Sequence, residues 1–233
     1  MRWSHGIAVA LAAALVAPAV SSAQDASKAV AGGGISAPGW MGKVDAREAT
    51  GGAKIEDTKL VTMGPGLHVT TGPAAVYWNP ANTASGNYTV TAKFTEREFM
   101  GLNDHAHPYG IFIGGNDMGT DNQSLLYCAA YGNGNFIVRG FGPAAFALNG
   151  GRQGQVSEAV NKAAAKGQPV TQEIALKVSA DKIECLINGK VAGTFPKADV
   201  VAAGKLKSTD GIYGLRFGHN TDAHVAGFAM TKN

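Results

Sequence analysis

Apolar and polar residues alternate along most of the chain from residue 59 onward. The clearest run, NYTVTAKFTEREF at residues 87–99, places an apolar residue at every second position from Tyr88 to Phe94. A two-residue period is typical of a strand that buries one face and exposes the other to water. Further strand-like runs lie at residues 59–63, 67–71, 74–78, 109–113, 124–131, 135–141, 170–195, 211–218 and 224–231. The pattern predicts about eleven or twelve short strands.

Tight turns separate these runs, since glycine makes up 32 of the 233 residues, roughly twice its usual share. Gly-Asn-Gly at 132–134 and Asn-Gly at 188–189 predict hairpins, because both residue types accept a positive φ at low cost. Only SEAVNKAAAK at 157–166 has a helical composition, with glycine and proline directly after it as stops. These features predict an all-β fold: a two-sheet antiparallel β-sandwich or jelly roll with one short surface helix.

The N-terminus has the pattern of a secretory signal. Arg2 precedes an apolar run, and small residues follow it, so we expect residues 1–23 to be a cleaved signal peptide. Residues 24–38 are small, polar and glycine-rich, which predicts a flexible leader, and residues 39–233 then form a single β-sandwich domain. No later segment has the ~18 apolar residues that a membrane span requires. We therefore expect a secreted or periplasmic protein without a membrane span.

Charge and motifs exclude several classes of function. The net charge is only +3, and the lysines form no basic run, so no nucleic-acid partner is predicted. The sequence lacks a nucleophile elbow, a phosphate-binding loop, a zinc-protease helix motif and a C-x-x-C pair. Nothing in the sequence predicts an oligomeric state.

Two segments near the C-terminus carry a resemblance. IALKVSADKIECLINGKV at 174–191 and the closing GIYGLRFGHNTDAHVAGFAM resemble strands of concanavalin A-like sandwiches in the laminin G, laminarinase and 3-keto-disaccharide hydrolase-like groups. The combination of GPAAVYWNP, GNYTVTAKF, HPYGIFIGG and GLRFGHN is similar to a group of exported bacterial proteins of this fold. The resemblance covers residues 55–231 and implies a concanavalin A-like jelly roll.

The resemblance also implies a carbohydrate partner. We expect an exported glycan-recognition protein that is non-catalytic or weakly catalytic. The alternatives are a glycoside hydrolase of the 3-keto-disaccharide hydrolase-like type and a structural envelope protein with a protein partner. The E-x-D-x-x-E motif of the laminarinases is missing, and the nearest acids, Glu96 and Glu98, are interpreted as solvated side chains at a strand end.

The segment DHAHP contains two histidines that face the same way on an extended backbone. His105 and His107 could therefore share a metal ion, and the further ligand candidates stand in GHNTDAH: His219, Asp222 and His224. Two other interpretations stay open: an exposed loop between strands, or one border of a carbohydrate cleft. No metal is the favoured expectation.

A carbohydrate cleft needs aromatic rings for stacking and planar polar groups for paired hydrogen bonds to hydroxyls. Side chains of these types occur at strand ends next to glycine-rich turns, with Tyr131 as a further aromatic candidate. The predicted ligand-binding residues are Trp78, His105, His107, Tyr109, Asn116, Asp117, Arg139, His219 and Asn220.

The loop GGNDMGTDNQS has the composition of a calcium-binding loop. Its oxygen donors are Asn116, Asp117, Asp121 and Asn122. A hairpin loop rich in turn-forming residues explains the same letters, and no cofactor is the favoured expectation.

Two cysteines, Cys128 and Cys185, both lie in strand-like runs. They are either joined by a disulfide, as is common in exported proteins, or separately buried as small apolar residues. A bridge closing a loop of about 57 residues would stabilise the fold by roughly 4 kcal/mol.

Overall fold

A computed structural model describes residue 1, residues 26–151 and residues 154–233. Apart from Met1, the predicted signal peptide lies outside the described residues. Within them, two eight-stranded sheets pack face to face, and every strand pair is antiparallel except one. The predicted all-β sandwich is confirmed, because the alternating runs found in the sequence all lie in strands.

The first sheet contains most of the long alternating runs. In spatial order its strands are β1 (Gly34–Ile35), β3 (Thr58–Met63), β4 (Gly66–Thr71), β16 (Thr221–Lys232), β6 (Tyr88–Glu96), β12 (Val170–Val178), β13 (Lys182–Ile187) and β14 (Lys190–Pro196). The parallel pair joins β1 to β3. The β13–β14 hairpin turns at Asn188 and Gly189, whose φ angles are 51° and 77°, as the Asn-Gly sequence predicts.

The second sheet carries the candidate functional residues. In spatial order its strands are β10 (Phe146–Ala147), β9 (Asn135–Phe141), β8 (Ser124–Ala130), β7 (Tyr109–Asn116), β15 (Gly211–Phe217), β5 (Ala75–Ala84) and β2 (Met41–Val44), and β11 (Gln155–Val156) pairs with β9 beside β10. Its central strands β7 and β8 are almost wholly buried. Their near-continuous apolar sequence fits a sheet that is covered on both faces.

The main core lies between the two sheets. The ring of Phe94, on the first sheet, is fully buried, with its centroid 5.5 Å from Tyr109 and 5.9 Å from Phe217 on the second. Truncating a ring in such a position costs roughly 3–5 kcal/mol. Cys128 of β8 and Cys185 of β13 form a disulfide, which therefore links the two sheets through this core.

The predicted helix at residues 157–166 is wrong. This segment is irregular and folds over one end of the sandwich: Val160 is buried in the core, and the backbone N–H of Ala163 donates to the carbonyl oxygen of Gly132. Long-range contacts therefore override the helical propensity of its alanines. The described residues instead contain two short helices, α1 (Ala46–Thr50) and α2 (Lys197–Val200), and a 3-10 turn at Ile55–Asp57. Neither helix has the length and apolar character needed to cross a membrane.

The segment predicted as a flexible leader contacts the sandwich from residue 26 onward. The carbonyl oxygen of Ala26 accepts from the side chain of Asn220, and the side-chain oxygen of Asn220 accepts from the N–H of Lys28. Residues 34–35 form β1, and Ala37 is buried in the core. The packed structure therefore begins ahead of the predicted boundary at residue 39, because backbone pairing needs no alternating pattern.

Candidate functional site

Three histidines meet at one end of the second sheet. The adjacent strands β7 and β15 pair Tyr109 with Phe217. His107 lies two residues before Tyr109, and His219 lies two residues after Phe217. Because the strands are antiparallel, both histidines lie at the same end of the strand pair. Their ring centroids are 3.7 Å apart, and the ring of His105 lies 4.3 Å from that of His107. We call His105, His107 and His219 the histidine cluster.

A glycine permits this close approach. The N–H of Gly218 donates to the carbonyl oxygen of Pro108 at 2.7 Å. A Cβ at residue 218 would lie 2.8 Å from Cδ of Pro108 and 3.2 Å from Cβ of His107. The first of these distances is shorter than real Cβ contacts, so the segments before β7 and after β15 can lie this close only with glycine at this position.

The cluster is graded from exposed to buried: His105 is exposed, His107 half-buried and His219 buried. One nitrogen from each ring lies within 4.8 Å of the other two. Nε2 of His107 is buried and has no hydrogen-bond partner. Burial, together with the neighbouring His219 and His105, lowers the pKa of His107 to about 3. The His107 imidazole is therefore neutral at physiological pH and can act as a ligand.

The carboxylate of Glu48 lies beside the buried histidine of the cluster. Oε1 of Glu48, on α1, lies 4.0 Å from Nδ1 of His219. The other oxygen of Glu48 accepts hydrogen bonds from the N–H of Ala74 and the hydroxyl of Ser27. These two bonds hold the Glu48 carboxylate in place beside the most buried histidine.

The remaining predicted metal ligands lie on the other sheet. Asp222 and His224 point outward from β16, on the first sheet, because Ala223 and Val225 fill the core. Nε2 of His68 lies 3.0 Å from both carboxylate oxygens of Asp222, and the ring of His224 is 4.6 Å from that of His68. The structure therefore brings together three of the five metal-ligand candidates and separates the other two from them.

A second apolar cluster covers the outer face of the second sheet. The polar and aromatic side chains of this face, which we call the aromatic-arginine face, are Trp78, Tyr127, Tyr131, Arg139, Phe141 and Arg216. Ala106, between two histidines of the cluster, packs against it. The face and the histidine cluster are therefore neighbours at the same end of the sheet.

Arg216 crosses this face. Its register neighbours on β7 and β8 are Gly110 and Ala129, which are small, and its guanidinium lies 5.3 Å from the ring centre of Tyr127 and 5.4 Å from that of Phe141. These distances allow cation–π contacts. The sequence interpretation missed Arg216. Its outward position in the alternating run GLRFG is visible in the sequence, but that position alone is typical of a solvated arginine.

A partly buried ion pair fixes Arg216. The guanidinium donates two hydrogen bonds to Asp45, at 2.5 and 2.6 Å, in the bidentate arrangement that arginine favours with carboxylates. Burial disfavours the charge, but the attraction of Asp45 and neighbouring groups outweighs it and raises the pKa of Arg216. Asp45 directly precedes α1, so one short helix positions both Arg216 and, through Glu48, His219.

Four other predicted ligand residues are buried in the core or make polar contacts within the protein. Tyr109 is fully buried between the sheets. The side chain of Asn116 donates to the carbonyl oxygens of Gly114 and Asp210, and Asp117 lies 3.7 Å from Lys207. Asn220 bonds to Ala26, Lys28 and Asn103. None of these four side chains joins the aromatic-arginine face or the histidine cluster.

Two of the predicted calcium ligands in loop 114–124 make other contacts in the structure. Asp121 pairs with Lys43 at 3.2 Å, and the amide nitrogen of Asn116 is engaged as a donor. Within residues 26–151 and 154–233, the histidine cluster is the one group of three or more metal-ligating side chains with such close donor atoms.

The interpretation of Glu96 as a solvated side chain is wrong. Its carboxyl continues the inward row of Phe94 and is buried, and one carboxyl oxygen has no hydrogen-bond partner. Desolvation raises the pKa of Glu96 to about 7, although the N–H of Met100 donates to it. Glu98, beyond the end of β6, is exposed, because the strand ends before the alternation reaches it.

Comparisons with known proteins show the fold. The sequence matches no protein-family model and no curated protein. The carbohydrate binding module CBM66 from Bacillus subtilis superposes with a TM-score of 0.52 and 9% identity, covering 86% of this chain and 99% of that one. A protein of unknown function with a galectin-like fold, also from Bacillus subtilis, superposes with a TM-score of 0.53 and 12% identity, covering 83% and 89%. The chain therefore shares the two-sheet β-sandwich fold of these two structures.

Proposed function

We propose that this protein is an exported glycan-recognition β-sandwich that binds carbohydrate at the aromatic-arginine face. The observation that carries the proposal is that two arginines lie on this face among aromatic rings, each with one guanidinium nitrogen that makes no hydrogen bond. Nε of Arg139 and Nε of Arg216 are buried and have no hydrogen-bond partner. Guanidinium donors and aromatic rings are the groups that recognise sugar hydroxyls and sugar rings.

The exposure of the face indicates where a glycan makes its first contact. Phe141 and Arg139 are half-buried, whereas Tyr127, Tyr131 and Trp78 are buried. A sugar ring would stack on Phe141 and take hydrogen bonds from Arg139. Access to Trp78 requires the loop after β7 to move, because a Cβ at Gly119 would lie 3.5 Å from the indole.

The fold of the two solved structures supports the proposal. One of them is described as a carbohydrate binding module and the other as galectin-like. At 9% and 12% identity the likeness concerns the backbone alone, so the proposal depends on the arrangement of the side chains of this chain.

One feature of the sequence and one of the structure support export. The first 23 residues have the order of a secretory signal. The disulfide between Cys128 and Cys185 is the kind of bond that persists in an oxidising compartment. Fractionation of cells that express the full-length chain tests this part: we expect the processed protein outside the cytoplasm, and retention of unprocessed chain inside would contradict export.

A recognition role fits the site better than glycoside hydrolysis. Hydrolysis requires two carboxyl groups on either side of the scissile bond, one of them with a raised pKa. Glu96 has the raised pKa, but its carboxyl points between the sheets. Asp45, the acid beside the aromatic-arginine face, is paired with Arg216.

The test is binding of the mature chain to a panel of neutral and acidic oligosaccharides, followed by titration calorimetry with the best ligand. We expect Arg139→Gln and Phe141→Ala each to weaken binding roughly tenfold, as when a contact of about 1.4 kcal/mol is lost. Arg97→Gln is the matched control, because Arg97 is exposed at the end of β6. Unchanged affinity in both variants would place binding elsewhere. No retention on the panel, with capture of an envelope protein, would favour the structural alternative.

A further inference from the structure

We propose that His105, His107 and His219 form a binding site for a divalent transition-metal ion, with Zn²⁺ as the ion of reference. The site lies at the end of the second sheet, where β7 begins and β15 ends. It is a separate proposal from glycan recognition, and each can fail without the other.

The first argument is the distance between the donor atoms. One nitrogen from each histidine lies within 4.8 Å of the others. A zinc ion with ~2.1 Å bonds in a tetrahedral site needs nitrogens about 3.4 Å apart. Rotation of the side chain of His105, which is exposed and lies on a loop, would close this difference. Binding therefore requires no rearrangement of the strands.

The second argument is that one ring nitrogen lacks a hydrogen-bond partner and another lies near a carboxylate, as in histidine metal sites. Nε2 of His107 is buried with no hydrogen-bond partner, which is costly unless a ligand meets it. Glu48 lies 4.0 Å from Nδ1 of His219. A histidine that binds a metal through one nitrogen commonly donates its other N–H to a carboxylate. Glu48 can take that role, so that Nε2 of His219 faces the ion.

The third argument is the chemistry of the donor set. Three imidazoles without a carboxylate among them suit Zn²⁺, Cu²⁺ or Ni²⁺, whereas Ca²⁺ and Mg²⁺ require oxygen donors. Three protein ligands leave a fourth position open, as in zinc sites that bind water or a substrate. A fourth ligand would approach from the exposed side of the cluster, where His105 lies.

Packing alone is the competing explanation, because three histidines can stack without binding anything. The chain offers a matched control in its second histidine pair, His68 and His224, whose rings are 4.6 Å apart on the first sheet. Metal binding that depends on the cluster but not on this pair distinguishes a site from the general affinity of histidine for metals.

The experiment is titration of tag-free, chelator-treated mature protein with ZnCl₂ by calorimetry at neutral pH. We expect one equivalent to bind. His105→Ala and His107→Ala should each weaken binding at least tenfold, while His224→Ala leaves it unchanged. Glu48→Gln should weaken it by roughly 10–100-fold, the range found for outer-shell partners. CaCl₂ should give no binding at this site.

A second measurement guards against variants that fail to fold. His105 is exposed, so His105→Ala should keep the wild-type thermal midpoint and still lose metal affinity. The absorption spectrum of the Co²⁺-loaded protein should show imidazole coordination that His105→Ala abolishes. The proposal is overturned if wild-type protein binds no zinc, or if His224→Ala weakens binding as much as the cluster variants do.

Discussion

Cys128 and Cys185 are bonded to each other across the core, with their Cα atoms 6.1 Å apart. Cys128 lies on β8 of the second sheet and Cys185 on β13 of the first. The bond closes a loop with a sequence separation of 57. It therefore links the two sheets covalently through the core.

Replacing both cysteines by alanine should lower the free energy of unfolding by about 4 kcal/mol, the chain-entropy value for a loop of this length. Urea denaturation of wild-type and Cys128→Ala/Cys185→Ala proteins under oxidising conditions measures the difference. A reductant should lower the midpoint of the wild-type protein and leave the double variant unchanged. Equal midpoints in all four samples would mean that the bond contributes nothing to stability.

The Asp45–Arg216 pair predicts a large cost for removing one charge. Asp45→Asn should destabilise the protein by roughly 3–5 kcal/mol, because it leaves a buried guanidinium without its counter-charge. Asp121→Asn is the control, since Asp121 is fully exposed beside Lys43 and exposed pairs contribute little. Thermal melts of the two variants should therefore differ clearly. A small effect for Asp45→Asn would show that solvent reaches Arg216.

Glu96 predicts a dependence of stability on pH. Its pKa rises from 4.5 to about 7 on folding, so between these values the folded chain binds more protons than the unfolded chain. Stability attributable to Glu96 therefore falls as pH rises through this window, by on the order of 3 kcal/mol in all. Glu96→Gln should remove this slope.

The measurement is urea unfolding of wild-type and Glu96→Gln proteins at several pH values between 4.5 and 8. Histidines with a lowered pKa, such as His224, give the opposite slope in both proteins, so the difference between the two isolates Glu96. Glu98→Gln is the matched control, because that side chain is exposed. If the wild-type and Glu96→Gln curves are parallel, the carboxyl does not titrate in this range.

Much of the fold could be predicted because strand alternation is a local property. The period of two in residues 87–99 reports which face is buried, and the turn at 188–189 follows from the tolerance of Asn and Gly for positive φ. The helix predicted at 157–166 failed because its alanines carry only a weak preference, and contacts with distant residues decide its path. Strands of two residues, such as β1, are too short to show any period.

The histidine cluster could be predicted only in part. The spacing of His105 and His107 is visible in the sequence, but the approach of His219 depends on β7 and β15 being neighbours. That pairing joins residues about 100 positions apart and leaves no local trace. Arg216 was missed for a different reason: an arginine at an outward strand position is usually solvated, and only the small residues beside it in the sheet show otherwise.

Residues 26–30 can pack against the sandwich because Gly72 has no side chain. A Cβ at Gly72 would lie 1.8 Å from the carbonyl oxygen of Lys28, so Gly72→Ala must displace the chain around Lys28. Trypsin should then cut after Lys28. This residue is exposed, but in the wild-type protein its backbone N–H donates to the side chain of Asn220. We expect N-terminal sequencing to find faster cleavage at this site in Gly72→Ala than in wild-type protein. Gly151→Ala is the control, since a Cβ there meets nothing within 4 Å. Equal rates in the three proteins would show that the segment is held by other contacts.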